Sequence, residues 1–293
     1  MIGESSLFNR VLDCPVKPDN DKKEDKMIKI GVAGAAGKMG SRIAALSKEY
    51  EGLLLAGVFE KKGHADIGKD IGILTGTGEA GILLSSGIEE IIDKVDVIID
   101  FTSTESTKEN LKTASGRGKA MIIGTTGFSK EDLMEIESLT KAVPCVLASN
   151  MSLGVNLLLK VLQDIARVLG DDYDIEIVEA HHRLKKDAPS GTALKMAQVI
   201  ADAVDRNLEE VAVYSRKGLI GQRTKKEIGI QTVRAGDIVG EHTVLFGGLG
   251  ERIEITHKAS SRDTFARGAL KAALWLAGKP AGLYDMQDVL GLR

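Results

Sequence analysis

Cysteine is nearly absent: only Cys14 and Cys145 occur among 293 residues. Their separation matches no metal-ligand spacing and builds no disulfide framework. Cys145 stands inside an apolar run and reads as a small core residue. Long hydrophobic runs are missing as well. No stretch approaches the roughly 18–20 apolar residues needed to span a bilayer. The N-terminus has no apolar centre of the signal-peptide kind, since Asp19 to Lys26 is almost continuously charged, so a cytoplasmic protein is expected. Nor is there an excess of one charge: 39 basic against 42 acidic side chains leave a formal net charge of -3. That balance calls for neither nucleic acid nor an acidic membrane as partner, and any cationic function has to be local. Internal repeats and low-complexity segments are absent from Met27–Arg293.

What the chain does contain is an ordinary globular composition, 43% hydrophobic and 28% charged, long enough for two domains. Residues 1–26 are polar, carry Pro15 and Pro18 and show no periodicity, which predicts a flexible extension. From Met27 the pattern alternates. Strands are predicted at Met27–Ala33, Leu53–Phe59, Val95–Phe101, Ala120–Ile123 and Pro144–Ala148. A helix is predicted over Lys38–Tyr50, and another opens at Ser129 with Asp132 three residues on as a capping box. Alternation of this kind implies βαβ units and a parallel, doubly wound sheet covered on both faces. A long helix, Leu153–Leu169, closes this half at Gly170.

The second half differs. Ile175–Glu179, Ile228–Arg234, His242–Phe246 and Arg252–His257 are strand-like, with partial alternation and fewer helices between them. They predict a separate, flatter α+β sheet with one face left for another layer or subunit. A helix over Arg262–Ala277 and a short tail to Arg293 follow.

Two segments carry chemistry. The first strand runs into Gly31-Val-Ala-Gly34-Ala-Ala-Gly37-Lys-Met-Gly40. Glycines between a first strand and a first helix allow a tight turn and close approach of backbone to a pyrophosphate, which the helix N-terminus attracts. The spacing departs from Gly-x-Gly-x-x-Gly, so position carries the dinucleotide reading. Glu60, 20 residues after Gly40 at the end of the second strand, is placed to accept from a ribose 2′-hydroxyl. Lys61 and Lys62 beside it could receive a 2′-phosphate, so NADH and NADPH both remain open. Gly124-Thr125-Thr126-Gly127 and Ser149-Asn150-Met151 follow the fourth and fifth strands. Either they line a nicotinamide, or they are plain connections.

The second segment is Ala180-His181-His182-Arg183-Leu184-Lys185-Lys186-Asp187-Ala188-Pro189-Ser190-Gly191-Thr192-Ala193. It sets five basic or potentially basic side chains within six residues of a slightly acidic protein. Ser190, Gly191 and Thr192 then open a helix over Thr192–Val204, offering hydroxyls and backbone N–H groups to a carboxylate. The cations before them could hold a second negative group and donate a proton. Solvated surface is the plain alternative. A metal site is disfavoured, because no cysteine or spaced histidine completes a set.

Glu179 to Ala193 resembles the signature of the 4-hydroxy-tetrahydrodipicolinate reductase (dihydrodipicolinate reductase) family of bacterial lysine biosynthesis. The resemblance extends through Val95–Thr102, Gly124–Phe128, Val233–His242 and Ile255–Arg262, and covers essentially Met27–Leu292. It implies hydride transfer from NADH or NADPH to a cyclic dicarboxylate in the diaminopimelate pathway. By position His181 matches the family's proton donor/acceptor and Lys185 its proton donor. His182, Gly191 and Thr192 match substrate contacts, with Ser190 added from the helix start. Gly34, Ala35, Ala36, Gly37, Lys38, Met39, Glu60, Lys61, Gly124, Thr125, Thr126, Ala148, Ser149, Asn150 and Met151 match cofactor contacts. The resemblance also implies a dinucleotide domain over 27–151 with 262–293, and a substrate-binding domain over 152–261 that assembles a homotetramer. Ala35 and Ala36 stand where relatives often have another glycine. Lys61 stands where arginine is common, and lysine cannot make the same bidentate phosphate contact.

Overall fold

The computed structural model describes residues 27–293; the extension expected over 1–26 lies outside them. The chain is built around two sheets. The first begins with β1 (Ile28–Ala33), α1 (Lys38–Ser47), β2 (Leu53–Phe59), the single turn α2 (Ile71–Leu74) and the edge strand β3 (Leu84–Ser85). It continues with β4 (Val97–Asp100), α3 (Thr104–Gly116), β5 (Ala120–Ile123), α4 (Lys130–Leu139) and β6 (Pro144–Leu147). The expected capping box is present, Ser129 and Asp132 each bonding the other's backbone.

Every pairing in this sheet is parallel. Its strands read as unbroken apolar runs because both faces are covered. Along β4, Val97 and Ile99 join one core while Ile98 joins the other. With the late strand β12 (Gly282–Tyr284) at one edge, the strand order β12-β6-β5-β4-β1-β2-β3 reverses direction between β4 and β1. A crevice outside the carboxyl ends of those strands is where such sheets bind ligands.

From β6 the chain enters α5 (Leu153–Leu169), ended by Gly170, and then the second sheet: β7 (Asp174–His181), α6 (Gly191–Ala203), α7 (Leu208–Val211), β8 (Ala212–Val213), β9 (Ile228–Arg234), β10 (Gly240–Gly247) and β11 (Arg252–Ala259). Its order is β11-β10-β7-β9-β8, antiparallel on the β10 and β11 side and parallel on the other. Here alternation survives, because one face alone packs on helices. Ile175, Ile177, Ile230, Val244 and Phe246 meet Leu158, Leu162, Met196 and Ile200 of α5 and α6. The other face leaves Val178 and Val233 41% and 43% exposed.

The chain then returns to the first sheet. α8 (Asp263–Leu276) buries Ala266, Ala269, Leu270, Ala273 and Leu276 in the core of β1, β4 and β5, and Arg42 grips Asp263 with two hydrogen bonds. The segment read as a tail is structured: β12 (Gly282–Tyr284) pairs with β6 and α9 (Met286–Leu290) follows. Tyr284 meets Trp275 of α8 edge to face at 5.2 Å. No helix among the described residues is long and apolar enough to cross a membrane.

Candidate active site

A cleft of about 1220 Å³ opens where the carboxyl ends of the first sheet meet the end of β7 and the start of α6. It brings together Lys38, Met39, Thr126, Ala148, Ser149, Asn150 and Met151 from the expected cofactor set with His181, His182, Lys185, Ser190, Gly191 and Thr192 from the basic segment. Gly34 to Gly37, Glu60, Lys61, Gly124 and Thr125 do not line this cavity. Gly34 to Gly37 follow β1 and adjoin Lys38 and Met39 in the chain, while Glu60 and Lys61 follow β2, Glu60 bonding the turn through Ala36.

The glycine turn has the shape a dinucleotide needs. Gly34 has φ +63, and a Cβ at Gly40 would lie 2.2 Å from the Gly34 carbonyl oxygen, so α1 passes against the turn as only glycine permits. Gly37 caps α1 without a side-chain bond, which leaves the amides of the first helical turn for an anion. Glu60 accepts from the Ala36 N–H at 3.2 Å, bringing its carboxylate to that turn. The residues therefore fit NADH or NADPH. Thr125 behaves otherwise than its motif suggests. It is buried, bonding Thr107 at 2.8 Å and receiving the Thr102 N–H at 3.1 Å, so it shapes the loop from inside.

On the other side, His181 is the last residue of β7 rather than part of a loop. Its Nδ1 lies 2.6 Å from the Glu179 carboxylate, two residues back on the same face of the strand. Glu179 is 0% exposed. Its carboxylate accepts from Arg234 of β9 at both oxygens at 2.9 Å, and also from the Ser190 N–H at 3.0 Å and the Thr232 hydroxyl at 3.2 Å. Burial would drive the Glu179 pKa upward, yet Arg234, His181 and the Ser190 amide together hold it below its ordinary value. His181 is shifted downward, because burial outweighs the pull of Glu179.

The loop after β7 holds Lys185, whose Nζ is 2.9 Å from Asp187. That contact is the main reason the Asp187 carboxyl sits below its usual range. Arg234 also donates to the Asp187 carbonyl at 2.6 Å, so one guanidinium fixes both Glu179 and the lysine loop. Ser190 is 2% exposed; its hydroxyl caps α6 through the Ala193 N–H and pairs with His242 at 3.0 Å. The hydroxyl expected to face an anion thus points inward, because the cap claims it. The amides of Gly191 and Thr192 and the Thr192 hydroxyl remain at the cleft. Asn150, on the cofactor side, donates to that hydroxyl at 3.0 Å and so joins the two halves of the site. His182 lines the cleft, and its buried Nδ1 has no partner among the described residues.

Glu179, Arg234 and His242 are the residues that reading by segment left unassigned. The motifs Glu179–Ala193 and Val233–His242 contained all three, but nothing in the sequence said that they converge.

The family model described as "Dihydrodipicolinate reductase, N-terminus" matches residues 28–151, and "Dihydrodipicolinate reductase, C-terminus" matches 154–290. The 4-hydroxy-tetrahydrodipicolinate reductases of Syntrophobacter fumaroxidans and Syntrophus aciditrophicus are 59% and 57% identical over 267 residues, 91% of this chain and all of theirs. A dipicolinate-bound dihydrodipicolinate reductase from Paenisporosarcina sp. TG-14 superposes with a TM-score of 0.70 at 25% identity, covering 89% of this chain and 98% of that one. An amine dehydrogenase from Mycobacterium smegmatis shares the fold at a TM-score of 0.56 and 13% identity, over 87% of this chain and 94% of its own.

Proposed function

The chain belongs to the dihydrodipicolinate reductase family, and within that family's reaction we propose that Lys185 is the proton donor, with His181 as its partner. The activity is the NADH- or NADPH-dependent reduction of 4-hydroxy-tetrahydrodipicolinate to tetrahydrodipicolinate, a step toward diaminopimelate and lysine. The 4-hydroxyl leaves with one ring hydrogen as water, and one hydride and one proton are added to the ring in exchange. The reduced nicotinamide supplies the hydride. The chain's own residues do the rest.

Gly34 to Met39 would cradle the pyrophosphate, Glu60 and Lys61 would meet the ribose, and Thr126, on the loop that Gly124 and the buried Thr125 shape, would flank the nicotinamide with Ala148 to Met151. Gly191 and Thr192 hold one carboxylate of the ring at the start of α6, a site that favours anions through its free amides and dipole. His182 stands beside the second. The observation that carries this reading is the shared cleft: Lys38, Met39 and Asn150 from one sheet and His181, Lys185 and Thr192 from the other face one cavity. Residues 27–151 with 262–293 form the dinucleotide domain and 152–261 the substrate domain. We assign the exposed face of the second sheet, with Val178 and Val233, to assembly of a homotetramer, and the enzyme to the cytoplasm.

Replacing Lys185 with Ala should lower kcat at least about a hundredfold, the usual scale of a positioned proton donor. The dissociation constant for NADPH should stay within about twofold. Steady-state rates with a fluorescence titration of the cofactor check both, and unchanged turnover would overturn the assignment.

A further inference from the structure

His181 and Lys185 stand four residues apart, and proton donation could be divided between them in two ways. The surroundings of the imidazole decide. Its Nδ1 faces Glu179 at 2.6 Å, and a carboxylate there only accepts, so the hydrogen lies on Nδ1. Glu179 cannot turn away or take a proton cheaply. Arg234 holds both oxygens, and the Ser190 amide and Thr232 hydroxyl occupy one further. The Nε2 atom has no hydrogen-bond partner among the described residues and belongs to a side chain that lines the cleft. Gly240 of β10 stands next to that nitrogen, where a Cβ would come within 3.1 Å of Nε2. Any larger residue there would crowd the ring off this line.

We propose that Glu179, clamped by Arg234, is the positioning residue of the site: it takes the Nδ1–H of His181 and so presents an unprotonated Nε2 to the cleft, leaving Lys185 as the source of the proton. This rests on the reading that His181 and Lys185 carry the reaction. In the resting enzyme His181 is a hydrogen-bond acceptor, able to hold the Lys185 ammonium or the hydroxyl leaving the ring. The same carboxylate binds the start of α6 through Ser190, and Arg234 binds the loop of Lys185 through Asp187. A single ion pair thereby sets the acceptor, the donor loop and the anion-binding helix start. The charged and titratable groups around the ring are Glu179 and Lys185 from its own segment, Arg234 from β9 and His242 from β10, whose ring lies 5.2 Å away. Burial favours the neutral form of His181, in keeping with an acceptor.

The test is the nitrogen spectrum of the full-length protein labelled with 15N-histidine, with His181→Asn used to assign the signals. In the wild type at neutral pH, Nδ1 of His181 should carry the proton and Nε2 should resonate as an unprotonated ring nitrogen. In Glu179→Gln, whose amide can donate as well as accept, the Nε2-protonated tautomer should appear. kcat should fall about a hundredfold while KM for NADPH stays within about twofold. A wild-type His181 protonated at Nε2 overturns the proposal without any variant, as does a Glu179→Gln enzyme with unaltered tautomer and turnover. The tautomer is read without catalysis, so a fully active Lys185→Ala enzyme would overturn the assignment of the donor separately.

Discussion

Each sheet buries one carboxylate completely at the carboxyl end of a strand, Asp100 in β4 and Glu179 in β7, and the two are satisfied in opposite ways. Asp100 is surrounded by neutral donors: the Thr102 amide and hydroxyl, the Thr107 hydroxyl and the Asn110 amide group, at 2.7–3.1 Å. These tie the loop after β4 to α3 and, through Thr125, to the loop after β5. Glu179 faces Arg234 and His181, which carry or can carry charge. The difference follows from the sheets. The parallel one is covered on both faces, and its other fully buried strand residues are apolar, so polar groups gather where the strands end. The second sheet has one covered face and keeps its alternation. Inward positions near its open end form a rung of Thr232, Glu179, His242 and His257 across four strands. A neutral web fixes loops. A charged one also sets the protonation of what it touches.

The contrast is broken most sharply by removing partners. Arg234→Ala removes the cation paired with the buried Glu179 charge, leaving it only His181, the Ser190 amide and the Thr232 hydroxyl, and should cost about 3–5 kcal/mol. Asp100→Asn keeps a hydrogen-bonding shape among neutral groups and should cost about 1–2 kcal/mol. Urea unfolding midpoints of the two variants compare them, and equal losses would erase the distinction. A smaller effect should appear with pH. Burial, with His181 adding to it, pushes His242 down to about 4. Between the ordinary histidine value of 6.5 and about 4, the unfolded chain binds a proton that the folded chain refuses. Stability should therefore decline as pH falls through that window and level off below it. His242→Gln should show a shallower decline in midpoint against pH; an identical slope would mean that His242 is not the group responsible. The smallest effect is local. Thr192→Val removes the hydroxyl that Asn150 supports and should raise KM for the ring dicarboxylate about tenfold, with less change in kcat. An unaltered KM would remove Thr192 from the carboxylate site.

Much of this architecture was legible from apolar pattern and caps. Leu53–Phe59, Ala120–Ile123, Leu153–Leu169 and Ile228–Arg234 fall at the predicted bounds, because a turn residue or a cap marks each end. α3 was not read: its apolar stripe is thin, and two of its four buried residues, Thr107 and Asn110, serve Asp100 instead of a core. β12 is three residues long and exists by pairing with β6, a partner far back in the chain. In the candidate site, the basic side chains and the helix start lay in one contiguous segment and could be picked out as a group. Glu179 could not be given its role, since its partners Ser190, Thr232 and Arg234 are 11 to 55 residues away. Convergence of that kind is a property of sheet register, which local sequence does not carry.

The most direct test of the central claim is the loss of nicotinamide absorbance when the purified chain meets substrate generated in situ from pyruvate and aspartate semialdehyde. We predict oxidation of NADH or NADPH that depends on both precursors. No oxidation with either cofactor, by a folded protein that binds it, would contradict the assignment.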